Sequence, residues 1–362
     1  MAACQAVDTL AVNLPPDKFM PALLSHVQPA LQRTDGGAPG MTKAAFNALA
    51  VSAEGCSEYI RTKKYLGSFL QVIAQGIKSP HRSVRNAALY AVGQFSEYLM
   101  PEIGEYAGEV LPVLFHFVDA AMAELNSKAG KEAGGNGKGA GASPCGLDRI
   151  FYALEIFSEN LEEKLAPFVG ELMARLLAIM DSAAAPPGVK ELAVSAVGSA
   201  ANAVGSAAVA PHFDRIMAHL KAFLALSAAD AAADPETQSL MVQSMDTLGF
   251  LVAALGDSVT SVAPTLAEDS CQLGLDLVTK HDDPDVRKGA YSLFAHIASA
   301  VGQRMNPALP KIVELMLRSL ASKEGISIEY KDDGVGGINP VVDLNDSLQG
   351  LTSQCDFAMT ST

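Results

Sequence analysis

Apolar residues along this chain recur three and four apart, the spacing that places them on one stripe of a helix. In "PHFDRIMAHLKAFL" the stripe is Phe213, Ile216, Met217, Leu220 and Leu224. Pro211 stands before it, where a first helical turn has no amide hydrogen bond to lose. Strict alternation of apolar and polar residues is short and rare, so helices are expected almost throughout.

A longer period lies above the helical one. "VRNAALYAVG" from Val84 and "VRKGAYSLFA" from Val286 share Val-Arg, an Ala at the fifth place and a small or branched apolar residue at the eighth. The same phrase falls on "MTKAAFNALA" from Met41, "GLDRIFYALE" from Gly146, "VKELAVSAVG" from Val189 and "LMVQSMDTLG" from Leu240. Successive starts are 43, 62, 43, 51 and 46 residues apart. The long interval contains a glycine-rich polar stretch at about 126–143, and removing its 18 residues leaves 44.

A second phrase repeats in step: "FSEYLMPEIGEYAGEVLPVL" (95–114) parallels "FSENLEEKLAPFVGELMARL" (157–176). Between Val-Arg helices lies another apolar helix with an early proline, as in 15–32, 211–226 and 261–278. The unit is therefore a helix pair with the period of HEAT or armadillo arrays. One pair cannot bury its apolar face alone, so neighbours stack into a continuous core. Ala88, Ala193 and Ala290 are expected where stacked helices approach closely.

The predicted fold is an all-α, right-handed α-solenoid of HEAT repeats over 1–325, with a disordered insertion at about 126–143. It begins at the end of a second helix, holds six pairs and finishes on a lone first helix (308–322), as a central piece of a longer protein would. From 326 to 362 the periodicity stops, and a disordered or weakly ordered acidic tail is expected. Asp282 or Asp283 is expected to close the turn while Arg287 opens the next helix. These side chains are expected to bond backbone and each other between repeats, with Asp181 and Lys190 as the same device.

Composition narrows the function. Hydrophobic residues make up 49% and charged ones 18%, enough apolar surface for a core. A net charge of −14 disfavours direct nucleic-acid binding, which needs clustered Lys and Arg, and suits basic partners. The five cysteines are scattered, without the spacing of a zinc or redox motif. Residues 192–211 carry no charge over about the length of a bilayer span. Their Ala, Ser, Gly and Asn content fits a buried helix better than membrane insertion.

Catalytic patterns are missing from the sequence. Histidines 26, 81, 116, 212, 219, 281 and 296 form no metal-binding spacing, and neither a nucleophile elbow nor a phosphate-binding loop is present. His212 and His219 are expected to edge an apolar stripe. No enzyme, cofactor or metal is expected. What remains is the face of the second helices, where polar positions are acidic or amide: Asn86, Gln94, Glu97, Asp148, Glu155, Glu159, Glu191, Asn202, Asp246 and Asp285. Such a concave face would attract extended basic ligands, or simply be a solvated acidic surface.

"AVDTLAVNLPPDKFMPALLSHVQPALQ", "AEGCSEYIRTK", "SVRNAALYAVGQFSEYLMPEI" and "YALEIFSENLEEKLAPFVGELMARLL" together resemble the middle of an importin-β (karyopherin-β) family receptor, from about residue 5 to 328. The resemblance implies a nuclear import receptor that shuttles between cytoplasm and nucleus. It implies basic cargo proteins such as histones and ribosomal proteins, release by Ran-GTP, and contact with FG nucleoporins. The repeats that mainly engage Ran in that family precede the matched region. Carried over by position, Asn86, Glu97 and Glu159 are the candidate cargo-binding residues. The rival reading is a HEAT scaffold that holds folded proteins without transport activity.

Overall fold

The computed structural model describes residues 2–32, 38–132, 146–205, 209–226, 234–255, 265–281, 283–321, 326–332 and 338–344. Helix α1 (Ala2–Asn13) is followed by six pairs. These are α2 (Pro16–Leu31) with α3 (Pro39–Val51) and α4 (Ala53–Thr62), then α5 (Leu66–Ile77) with α6 (Arg82–Tyr98). Next come α7 (Ala107–Glu132) with α8 (Leu147–Leu161), and α9 (Val169–Asp181) with α10 (Pro187–Val204). The last pairs are α11 (Phe213–Leu224) with α12 (Pro235–Leu255) and α13 (Leu266–Lys280) with α14 (Pro284–Val301), before a final α15 (Leu309–Leu320). All six Val-Arg phrases fall on second helices.

Each first helix packs on its own second helix, and the second helices pack on one another in order from α3 to α14. The result is a main core running from Ala11 to Ile312, with a small separate cluster of Val27, Ala30 and Ala45 between α2 and α3. Ala88, Ala193 and Ala290 are fully buried, as close stacking requires. Phe46, Phe95, Phe115, Phe151 and Phe157 fill the space between layers, each contributing about 2–3 kcal/mol by area removed from water. At Gly55 no side chain fits, because an added Cβ would collide with the Ala11 carbonyl of α1.

Local sequence starts the helices. Pro16, Pro39, Pro187, Pro235 and Pro284 each open one, where proline's fixed φ fits and its missing donor costs nothing. Asp283 caps α14, its carboxylate accepting from the amides of Asp285 (2.9 Å) and Val286 (3.1 Å). In the two matching "FSE" phrases a 3₁₀ segment follows the second helix, at Glu102–Tyr106 and Glu162–Phe168, and leads into the next first helix.

The Arg of the phrase has a structural task. Arg85 Nη1 donates to the carbonyls of Ser79 and Pro80, both at 2.9 Å, tying α6 to the turn before it. Where the phrase begins Met-Thr, Thr42 Oγ1 donates to the Ala30 carbonyl at 3.2 Å and joins α3 to α2 over a shorter reach. Arg61 bridges pairs: Nη2 donates to the Tyr98 and Met100 carbonyls (2.8 and 2.9 Å) and Nε meets Glu102 at 3.0 Å.

Three expectations need correction. Asp181 does not pair with Lys190. It bonds Arg215 (2.7 Å) and His219 (2.9 Å) on α11, while Lys190 lies over the Phe223 ring at 6.0 Å. Asp181 ends α9, and the nearest cations along that ridge belong to the next first helix. The insertion also starts later than expected: α7 runs to Glu132, because Lys, Ala and Glu in "NSKAGKE" tolerate a helix and dense glycine begins only at Gly134. Residues 133–145 lie outside the described residues. In the tail, Ile326–Asp332 (β1) pairs antiparallel with Ile338–Leu344 (β2), Ile326 opposite Leu344 and Asp332 opposite Ile338. The alternation in "ISIEYK" is the local signal for that ladder. Residues 345–362 lie outside the described residues. No helix among the described residues is long and apolar enough to cross a membrane.

Candidate functional site

The second helices present two polar regions. The first is a groove of about 840 Å³ where α1, α3, α4 and α6 meet. Asp8, Glu54, Asn86, Tyr90, Gln94 and Tyr98 line it. Periodicity places them: Asn86, Tyr90 and Gln94 recur about every turn on α6 and share a face. The Tyr90 ring stacks toward Tyr152 of α8 at 6.3 Å between centroids, and Gln94 Nε2 reaches the Tyr152 hydroxyl at 3.4 Å. Burial pushes the Tyr98 hydroxyl up to about 12, and the charges of Glu97 and Glu54 push the same way. Tyr98 therefore stays a neutral donor, bonded to Glu54. Lys43 and Arg149 line the groove as well, Arg149 facing Asp148 at 3.7 Å.

The second region is a ladder of carboxylates and serines. Glu159 accepts from Ser199 at 2.8 Å, and Glu191 accepts from Ser239 at 2.7 Å. Glu155 is hydrogen-bonded by Ser195, and Asp246 by Ser292. In every case the acid belongs to one second helix and the serine to the next. Burial raises the Glu155 carboxyl to about 7, with Glu159 and Glu191 adding to the rise and Ser195 opposing it. Its Oε1 is buried without a hydrogen-bond partner. Burial likewise raises Asp246, opposed by Ser292, His296 and Lys288.

The three candidate residues are not gathered in one place. Asn86 lines the groove. Glu97, exposed at the end of α6, stands beside it at 3.5 Å from Gln94. Glu159 belongs to the serine ladder. Sequence reasoning missed Asp8, Glu54, Tyr90 and Tyr98. The first two lie on α1 and α4, which the Val-Arg phrase does not reach, although "AEGCSEYIRTK" holds Glu54 within the resemblance. His219 stacks on Phe223 at 5.9 Å and bonds Asp181, in keeping with an edge position. No group of His, Cys, Asp and Glu among the described residues could hold a metal.

Known proteins resemble this chain in sequence and in fold. No family model matches the chain. Human Importin-4 is 39% identical over 328 residues, 91% of this chain and 27% of that protein. Mouse Importin-4 is 39% identical over 333 residues. The chain belongs to the importin-β family. A probable importin subunit beta-4 of Schizosaccharomyces pombe is 25% identical over 327 residues. Among solved structures, Kap121p bound to Nup53p superposes over 94% of this chain with a TM-score of 0.72 at 19% identity, covering 30% of Kap121p. Kap121p bound to Pho4p gives 0.71 at 18% identity. This likeness establishes the karyopherin solenoid. The chain spans just over a quarter of the length of the curated relatives it matches. Those relatives are importins by name.

Proposed function

We propose that this chain is the cargo-holding part of a nuclear import receptor and that its second-helix face takes extended basic segments. The observation that carries this reading is the groove between α1 and α6. There Asp8 and Glu54 stand among tyrosine and amide side chains, with Glu97 beside them. A lysine or arginine side chain placed there meets carboxylates for charge-assisted hydrogen bonds and tyrosine rings for cation–π contact. Glu159 and Glu191 extend the acidic track by another two pairs. Basic cargo such as histones and ribosomal proteins fits this chemistry. Ran-GTP would regulate release through repeats that precede this segment in the relatives. FG nucleoporins have an apolar seat of about 300 Å³ between first helices α5 and α7, lined by Leu70, Ile73, Val110 and Val113. Such a receptor shuttles between cytoplasm and nucleus.

The test is binding of a fluorescent basic localisation peptide and of histones at moderate salt. Asp8→Lys with Glu54→Lys should weaken binding about tenfold or more, and Glu97→Lys with Glu159→Lys should weaken it independently. Binding that ignores both charge reversals removes this face as the cargo site. Recovery from extracts of stable folded subunits, with no effect of the basic peptide, favours the scaffold reading.

A further inference from the structure

At the last described pair, α13, α14 and α15 enclose a pocket of about 600 Å³. Lys280, His281, Arg287, Lys311 and Arg318 line it, and among the described residues no carboxylate does. This runs against the chain's balance of 40 acidic to 26 basic side chains. Lys280 and His281 come from the end of α13, Arg287 from the first turns of α14, and Lys311 and Arg318 from one face of α15, two turns apart. Tyr291 fixes the wall: its hydroxyl donates to the Leu315 carbonyl at 3.0 Å and bonds Ser319 at 2.6 Å, clamping α15 on α14.

The ties that hold the two lysines are weak ones. Lys280 pairs with Asp276 at 3.1 Å and Lys311 with Glu314 at 3.0 Å, both between exposed side chains. Asp276 also accepts from Gln272 at 2.8 Å, so Lys280 can turn into the pocket without leaving that carboxylate bare.

We propose that this pocket binds a phosphate ester carried on a peptide side chain. Guanidinium forks and ammonium groups converging from three helices suit a compact tetrahedral dianion better than a spread of single carboxylates. An extended polyanion such as nucleic acid would bring many phosphates against a chain of net charge −14. A membrane needs a broad basic face, whereas these cations surround a recess. The assignment is independent of the reading of the second-helix face.

The test is fluorescence anisotropy on the full chain with three versions of one short labelled peptide, carrying phosphoserine, serine or glutamate. The phosphoserine version should bind about tenfold or more tightly than either other. Lys311→Glu with Arg318→Glu should abolish that preference, with circular dichroism unchanged, while Lys43→Glu at the distant groove should preserve it. Should the double variant fail to fold, Arg318→Gln alone should still cost several-fold. Equal affinity for the glutamate peptide overturns the assignment, as does phosphopeptide binding that survives the substitutions at Lys311 and Arg318. A preference for sedimenting vesicles of phosphatidylinositol bisphosphate over the phosphopeptide also overturns it.

Discussion

Replacing Glu155 with glutamine isolates the proton that the ladder holds. Burial, then the charges of Glu159 and Glu191, raise the Glu155 carboxyl from an ordinary 4.5 to about 7. The folded chain therefore keeps a proton that the unfolded chain releases once pH exceeds 4.5. A raised carboxyl contributes stability that is present at and below the unfolded value and is lost as pH climbs through the folded value. The window is thus from 4.5 to about 7. At about 1.4 kcal/mol per unit, the loss across the window is on the order of 3 kcal/mol, an upper figure because the site relaxes once charged. Glu155→Gln carries no titrating group and keeps an acceptor for Ser195. Its stability relative to the native chain should be flat below pH 4.5 and rise by up to about 3 kcal/mol on approaching pH 8. Urea unfolding of both proteins across that range measures the gap, and amide exchange in α8 and α10 reads it locally, since helix arrays open in parts. A gap that stays constant with pH would refute the reasoning, because it would mean Glu155 is already charged when buried.

Two further outcomes follow from packing. Arg61→Ala removes the ties to the Tyr98 and Met100 carbonyls and the pair with Glu102, and should destabilise by about 2–3 kcal/mol, read as a lowered urea midpoint. Gly55→Ala forces a methyl against the Ala11 carbonyl, and should detach α1 first, with faster amide exchange in residues 2–13 than in α8. Unchanged exchange in α1 would show that the two helices can separate without cost.

The solenoid was legible because its signal is redundant: an apolar phrase returns in register on six second helices, with Ala at its fifth place in four of them and Val-Arg at its start in two. Val84 and Ala88 are buried in the stack, and Arg85 bonds the preceding turn. The acidic face was legible as a trend, and its partners were not. Glu155 and Ser195 are 40 residues apart, and nothing in either helix alone says that they touch. Asp8 and Glu54 escaped for a different reason, since they lie on helices without the phrase. The Asp181 contact was misread because sequence proximity to Lys190 was a poor guide on a ridge where Arg215 is the spatial neighbour. The β1–β2 pairing lay in a stretch too polar and glycine-rich for helical periodicity, where a brief alternation carried the only signal.

The two ridges of the array are sewn with different thread. First helices are joined by ions: Arg175 grips Asp119 through contacts of 3.0 and 3.1 Å, and Arg215 grips Asp181. Second helices are joined by serine hydroxyls reaching carboxyl groups, as at Ser199–Glu159 and Ser239–Glu191. Mobile salt screens the exposed ion pairs strongly and short hydroxyl bonds far less. Raising ionic strength therefore slackens one edge of the ribbon and leaves the other taut. Like a strip of two metals on warming, the array should then change its bend more than its length, which small-angle scattering at low and high salt would read.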